Sequence, residues 1–312
     1  MASTAGNLNR NQRKAVAEDT LAGFQRGSSP SGRITNLKEK IEYTNANTLY
    51  FPPDSELGDW KAATATPGTS KTKITLEEIS TLVGAHQLFD RLSADSSTTP
   101  RVGILNFASA KNPGGGFLSG SRAQEESIAR SSTLYPSLTT PTAQRYYQTH
   151  RKDPKGGYYS HAMIFSPNVA IVKDDEGKWV DQGWDDSEGG ERRVLEIDIV
   201  TSPAVNAGVV RKSTKVTAEA IESTMRERMA RILYLFEKQG IRHIVLGSFG
   251  TGAFRNDVDM VAKLWKELLC DAEARYIASF ENVVFAVLGR ETFLKFVEVF
   301  GANGSGETQH PG

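Results

Sequence analysis

Leu105-Asn106-Phe107-Ala108-Ser109-Ala110-Lys111-Asn112-Pro113-Gly114-Gly115-Gly116-Phe117 leads, after six further residues, to Gln124-Glu125-Glu126. The apolar run 101–107, bounded by turn residues, predicts an interior strand. Three consecutive glycines cannot continue that strand. Lacking Cβ atoms, they reach positive φ and allow a ligand close to the backbone, which suits a bulky, oxygen-rich molecule. Ser121 stands three residues before Gln124, the spacing of a capping box, and predicts a helix over 122–134. Adjacent helical residues point about 100° apart, so Glu125 and Glu126 cannot share one target and should do different jobs. The same residues admit a plainer reading, because Arg122 and Arg130 each lie four positions from Glu126 and could pair with it along an exposed face. Such pairing would lower the carboxyl pKa and oppose general-acid duty.

A second segment repeats the arrangement. The run 241–246 reads as a buried strand. It leads into Gly247-Ser248-Phe249-Gly250-Thr251-Gly252-Ala253-Phe254, and Asn256 then opens a helix with Val261, Leu264, Leu268 and Leu269 at helical spacing. Strand, glycine turn and helix aim backbone N–H groups at a phosphate. Alone, such a loop does not decide between phosphate binding and simple packing, nor does Phe254 alone decide between packing and ligand contact.

Together, the stretch 105–117, Gln124-Glu125-Glu126-Ser127 and Arg130-Ser131-Ser132-Thr133-Leu134-Tyr135 resemble the signature of bacterial-type poly(ADP-ribose) glycohydrolases, known in bacteria and filamentous fungi. The resemblance implies a macrodomain-like fold and release of ADP-ribose from poly(ADP-ribose), mainly from chain ends, with the protein-linked unit left in place. It implies Glu126 as general acid and base, and Glu125 on substrate hydroxyls. Gln124, Asn112 and the backbone of Gly114, Gly115 and Gly116 would position the ribose, and Asn106 would be a further substrate-binding residue. Gly250, Thr251, Gly252 and Ala253 would cradle the diphosphate, Phe254 would pack on the ribose, and Asn47 would lie near the adenosine. ADP-ribosylated proteins are the implied partners, with a place in poly(ADP-ribose) turnover and the DNA-damage response. Two other classes remain open: a non-catalytic ADP-ribose reader, which has no need of the glutamate pair, and another phosphate-ester or nucleotide hydrolase, which would want a metal-binding cluster.

The remaining sequence agrees. At 312 residues, 38% hydrophobic and 24% charged, the chain suffices for one large domain or two smaller ones. Lys plus Arg equal Asp plus Glu at 37 each, which argues against a broad basic surface for nucleic acid and favours a pocket taking one polymer unit. No apolar run is long enough to span a membrane. His86, His150, His161, His243 and His310 lack metal-ligand spacing, so neither a metal nor a cofactor is expected. Cys270 alone forms no disulfide framework and reads as a small core residue. Without a hydrophobic signal core, cytosol or nucleus is expected, while Arg10, Arg13 and Lys14 leave organellar import open. A monomer is the default.

Residues 1–34 are expected to be an accessory helix (9–23) and linker, 35–300 the catalytic domain, and 301–312 a mobile tail. Strands are expected at 41–44, 73–75, 162–165, 169–173, 194–200 and 283–288. Helices are expected at 76–92, 217–238 and 291–300, with loop at 52–70 and a solvent-exposed acidic insert at 174–191. The alternation of elements predicts an α/β fold, a three-layer α/β/α sandwich around a mixed sheet.

Overall fold

Alternate residues of the central strands carry apolar side chains to two different cores. The computed structural model, which describes residues 8–63, 71–95, 99–152, 156–182, 194–212 and 217–301, shows why. Strands β1 (Leu49–Phe51), β2 (Lys73–Glu77), β3 (Val102–Phe107), β4 (Met163–Ile171), β5 (Leu195–Ser202), β6 (His243–Leu246) and β7 (Asn282–Ala286) form one sheet in the order β1-β4-β5-β3-β6-β7-β2. The β1–β4 and β4–β5 pairs are antiparallel and the rest are parallel. Ile104, Val245 and Val284 face a core shared with helices α3 (Thr81–Asp95), α4 (Gln124–Ser131), α5 (Leu134–Leu138) and α6 (Pro141–Arg151). Leu105, Ile244, Leu246, Val283 and Phe285 face the opposite core, built with α8 (Ala218–Lys238), α9 (Val258–Leu269) and α10 (Arg290–Phe300). This is the expected three-layer sandwich, with period-2 alternation in its middle layer. A Cβ on Gly103 would lie 2.8 Å from the Phe236 ring, so that glycine lets α8 close onto β3.

The topology fixes the position of the site. Residues of β3 and β6 are far apart in sequence yet pair in register, Val102 with His243 and Ile104 with Val245. The two glycine turns follow these neighbouring parallel strands, so they emerge side by side at the carboxyl edge, where open α/β sheets bind ligands.

Several expectations need correction. Residues 41–44 are not a strand; they lie inside α2 (Leu37–Asn47), because Leu37, Ile41 and Thr44 fall at i, i+4 and i+7 and pack inward. The segments expected at 162–165 and 169–173 are one strand, β4, whose register shifts between Ser166 and Val169. Helix α4 begins at Gln124, two residues later than expected, and ends at Ser131. No capping box forms at Ser121. The Gln124 amide is spent on β3 instead, accepting from Phe107 N at 2.8 Å and donating to Leu105 O at 2.6 Å. Helix α3 starts at Thr81 rather than 76, since residues 73–77 all pair with β7.

The acidic insert is not all exposed. Trp179 and Asp181 are buried, and Trp179 Nε1 donates to Asp19 of α1 (Arg10–Arg26) at 2.7 Å. Lys173, fully buried, donates to the same carboxylate at 2.7 Å, which holds Asp19 below its ordinary range against the opposing effect of burial. Residues 183–191 of the insert, 64–70 of the expected loop and the tail beyond 301 lie outside the described residues. Helix α1 has a complete capping box at Asn9 and runs to Arg26, three residues past the expected end. It lies against the first glycine turn: Arg10 Nε donates to Ser119 O at 2.9 Å and Arg13 Nε to Gly120 O at 2.8 Å.

Candidate active site

The two carboxylates leave α4 in different directions, as their spacing requires, and the helix's own pattern decides which turns inward. Glu125 shares the buried stripe of Ile128 and Ala129 at i+3 and i+4, and is 2% exposed. Glu126, one position on, is half-buried. Glu125, and not the expected general acid Glu126, is therefore the buried carboxyl.

Burial pushes the Glu125 carboxyl up to about 8, and the nearby Glu126 charge adds to the rise, against the hydrogen bond from the Ser109 backbone. Ser109 N donates to Glu125 Oε2 at 2.7 Å. Glu125 Oε1 and Asn106 Oδ1 are both buried and neither receives a hydrogen bond from the protein. Glu126 Oε1 accepts from Gly116 N at 3.0 Å, while its Oε2 has no protein partner.

The triple glycine makes this pair possible. Gly114 and Gly115 have φ of 65° and 58°, and a Cβ on Gly115 would lie 2.4 Å from Glu126 Oε1 and 3.0 Å from Glu125 Oε2. The loop therefore lies behind the carboxyls and packs on them; Gly114, Gly115 and Gly116 are not among the residues lining the cleft. Asn106 is likewise fully buried, donating to Thr201 Oγ1 at 3.2 Å. Asn112 is exposed and serves the turn, receiving Gly115 N at 3.0 Å.

A cleft of about 610 Å³, the size of a small-molecule site, opens in front of the pair. Gln124, Glu125, Glu126, Gly250, Thr251, Gly252, Ala253 and Phe254 all line it. Asn47 does not: its Nδ2 donates to Tyr43 O at 2.8 Å within α2, and it borders a separate depression with Arg101 and Asp198. The ion pairing of Glu126 with Arg122 does not form either. Arg122 is exposed, and Arg130 reaches back to Ser121 O at 2.7 Å.

The second glycine turn is held by a residue the sequence reading passed over. Asn256, expected only to open a helix, is buried and donates through Nδ2 to Val205 O at 2.7 Å and Gly250 O at 3.0 Å. Asp257 caps α9 instead, accepting from Met260 N at 2.8 Å. Gly250 has φ of 75°, and a Cβ there would sit 2.3 Å from Ala204. Leu8 and Arg13 of the N-terminal segment, Ser80 and Asp175 also line the cleft without having been anticipated. Cys270 caps the end of α9, half-buried, with burial raising its thiol to about 11.

The raised Glu125 has a measurable consequence. Its folded-state value lies above the unfolded one, so its contribution to stability is complete below about 4.5 and is lost as pH rises through about 8. Wild-type stability should decline across this window, by at most ~1.4 kcal/mol per pH unit from this group. Glu125→Gln, neutral throughout, should flatten the decline in denaturant melts; an unchanged slope would show that Glu125 is not its source.

Comparison with known proteins follows the geometry. The family described as the catalytic domain of microbial-type PARG matches residues 17–174. The poly(ADP-ribose) glycohydrolase of Thermomonospora curvata is 32% identical with a TM-score of 0.81, over 93% of this chain and 100% of that one. Its structure bound to the inhibitor ADP-HPD gives 32% and 0.78, over 93% and 99%. The Deinococcus radiodurans glycohydrolase in complex with ADP-ribose is 34% identical with a TM-score of 0.72, over 84% and 97%. A comparison with curated protein sequences gave no match. A glycine-cradled glutamate pair facing a second glycine turn across one cleft, on a sheet shared with these enzymes, places the chain in the microbial-type poly(ADP-ribose) glycohydrolase family.

Proposed function

We propose that this chain hydrolyses the ribose–ribose O-glycosidic bonds of poly(ADP-ribose), from chain ends, releasing ADP-ribose. One observation carries the reading: Glu125, Glu126 and residues 250–254 line a single cleft. The ADP-ribose complex of the Deinococcus relative supports it.

In this reading the backbone N–H groups of the second glycine turn receive the diphosphate. Phe254 packs on the adjoining ribose, and Glu125 hydrogen-bonds its hydroxyls from the cleft floor. Gln124 acts indirectly, by clamping α4 to β3. The unpartnered Glu126 Oε2 donates a proton to the leaving ribose oxygen as its bond to the anomeric carbon breaks. Water then adds to that carbon and returns a proton to the Glu126 carboxylate. Two carboxylates facing each other across the bond, the usual glycosidase plan, are not needed: one acid does both steps and its neighbour holds the sugar.

The test is direct. Poly(ADP-ribose) with labelled ends is incubated with the protein in a chelator, and products are resolved by chromatography. ADP-ribose accumulating from the first time points is the expected result. Early oligomers would overturn end preference, tight binding without release would indicate a reader, and AMP or phosphate another hydrolase.

A further inference from the structure

Phe254 ends a chain of aromatic contacts. Behind it, outside the cleft lining, stands Tyr159, its ring centroid 6.0 Å from that of Phe254 and tilted by 42°. The contact continues away from the cleft: His150 meets Tyr159 at 5.9 Å, and Tyr146 meets His150 at 4.4 Å, both edge to face. Tyr146 and His150 are fixed on α6 and buried, and Ser160 Oγ lies 2.9 Å from His150 Nε2. Buried residues of α6 thus back a cleft-facing ring through one intermediate side chain.

The backbone at that intermediate is unusual. Tyr159 has φ of 56°, a region that residues with a Cβ avoid. Arg255, the residue after Phe254, also has φ of 56°. Two of the four left-handed non-glycine residues among those described therefore converge on one aromatic contact. The turn at Tyr159 is held by the fully buried Arg228, whose Nη2 donates to Tyr158 O at 2.9 Å and Tyr159 O at 3.2 Å. Phe254 is held by Gly208 N, which donates to its carbonyl at 3.0 Å. Left-handed backbone kept at a cleft by surrounding contacts is a common mark of a positioned site.

We propose that Tyr159 is a positioning residue for the reaction, setting the tilt of the Phe254 ring against the ribose next to the scissile bond. The proposal rests on the reading of Phe254 given above. Tyr159 acts through Phe254 and does not touch the substrate. Its removal therefore leaves the affinity for ADP-ribose nearly intact while the ribose loses its alignment with Glu126.

Four proteins test this on poly(ADP-ribose) with kinetics, ADP-ribose titration calorimetry and thermal melts: Tyr159→Gly, Tyr159→Phe, Phe254→Ala and the Tyr159→Gly/Phe254→Ala double variant. Glycine suits the positive φ while removing the whole side chain, ring included. Tyr159→Gly is expected to lower kcat roughly 10-fold or more, with KM and ADP-ribose Kd changed less than about 3-fold. Tyr159→Phe, which keeps the ring, should restore at least half of the lost kcat, roughly. In the Phe254→Ala background the glycine substitution should cost less than about 2-fold, because the coupled partner is already gone. If Tyr159→Gly folds poorly, Tyr159→Asn, which tolerates left-handed backbone, makes the same comparison. A wild-type kcat in Tyr159→Gly, or equal losses with and without Phe254, overturns the proposal while leaving Phe254's role standing. Wild-type kinetics in Phe254→Ala overturns the role of Phe254 itself, and the proposal with it.

Discussion

Glu126→Gln is expected to lower kcat on poly(ADP-ribose) by roughly 100- to 10,000-fold, the contribution of a positioned general acid and base, while ADP-ribose affinity stays within about 3-fold. The substitution keeps the side chain's volume, and a glutamine oxygen can still accept the hydrogen bond that Gly116 N gives Glu126 Oε1 at 3.0 Å. What it removes is the acid at the unpartnered Oε2 position. The neighbouring Glu125 cannot take over. It is 2% exposed and held by Ser109 N, and on the α4 helix it points about 100° away. Glu125→Gln should accordingly cost less in kcat than Glu126→Gln, because a neutral side chain replaces an acid that burial already raises to about 8. Measured kcat values in the reverse order would reassign the proton donor to Glu125. A Glu126→Gln protein with wild-type kcat would remove the proposed role of Glu126.

Local pattern made part of this site readable. Strand, glycine turn and helix recur around 105–131 and 244–269, and both readings rest on neighbouring residues alone. That these turns meet across one cleft follows from β3 and β6 being adjacent, a long-range pairing that hydrophobic periodicity does not encode. Asn47 shows the cost: it stands in a polar stretch that could border any ligand, and α2 carries it to another depression. Ile41 was misassigned because a short β-branched run looks like a strand, whereas Leu37 and Thr44 beside it supply the helical period. The burial of Glu125 rather than Glu126 is legible in the local pattern. Ile128 and Ala129, three and four residues after Glu125, mark its face as the buried one. Asn256 carried no such mark, because its hydrogen bonds run to a loop carbonyl at Val205 and to the turn it locks.

Gly115→Ala is the substitution expected to do most damage without altering an ionisable group. At φ of 58° a Cβ is strained, by about 1–2 kcal/mol for an ordinary residue. The larger effect is at the carboxyls: the added carbon would sit 2.4 Å from Glu126 Oε1 and 3.0 Å from Glu125 Oε2, well inside contact distance. Glu125 cannot yield, because it is packed among buried residues and bonded to Ser109 N, so Glu126 must rotate and give up the Gly116 N–H. Displacing a reacting group by about 1 Å can cost ~100-fold, and kcat should fall by at least that. The turn at residues 250–254, the proposed diphosphate cradle, follows β6 and is tied by Asn256, so ADP-ribose affinity should suffer far less than turnover. Kinetics, calorimetry and a thermal melt on the same preparation separate the outcomes. Loss of kcat with ADP-ribose still bound shows that the glycine exists to admit the carboxyls, whereas parallel loss of both shows that it contacts the ligand directly.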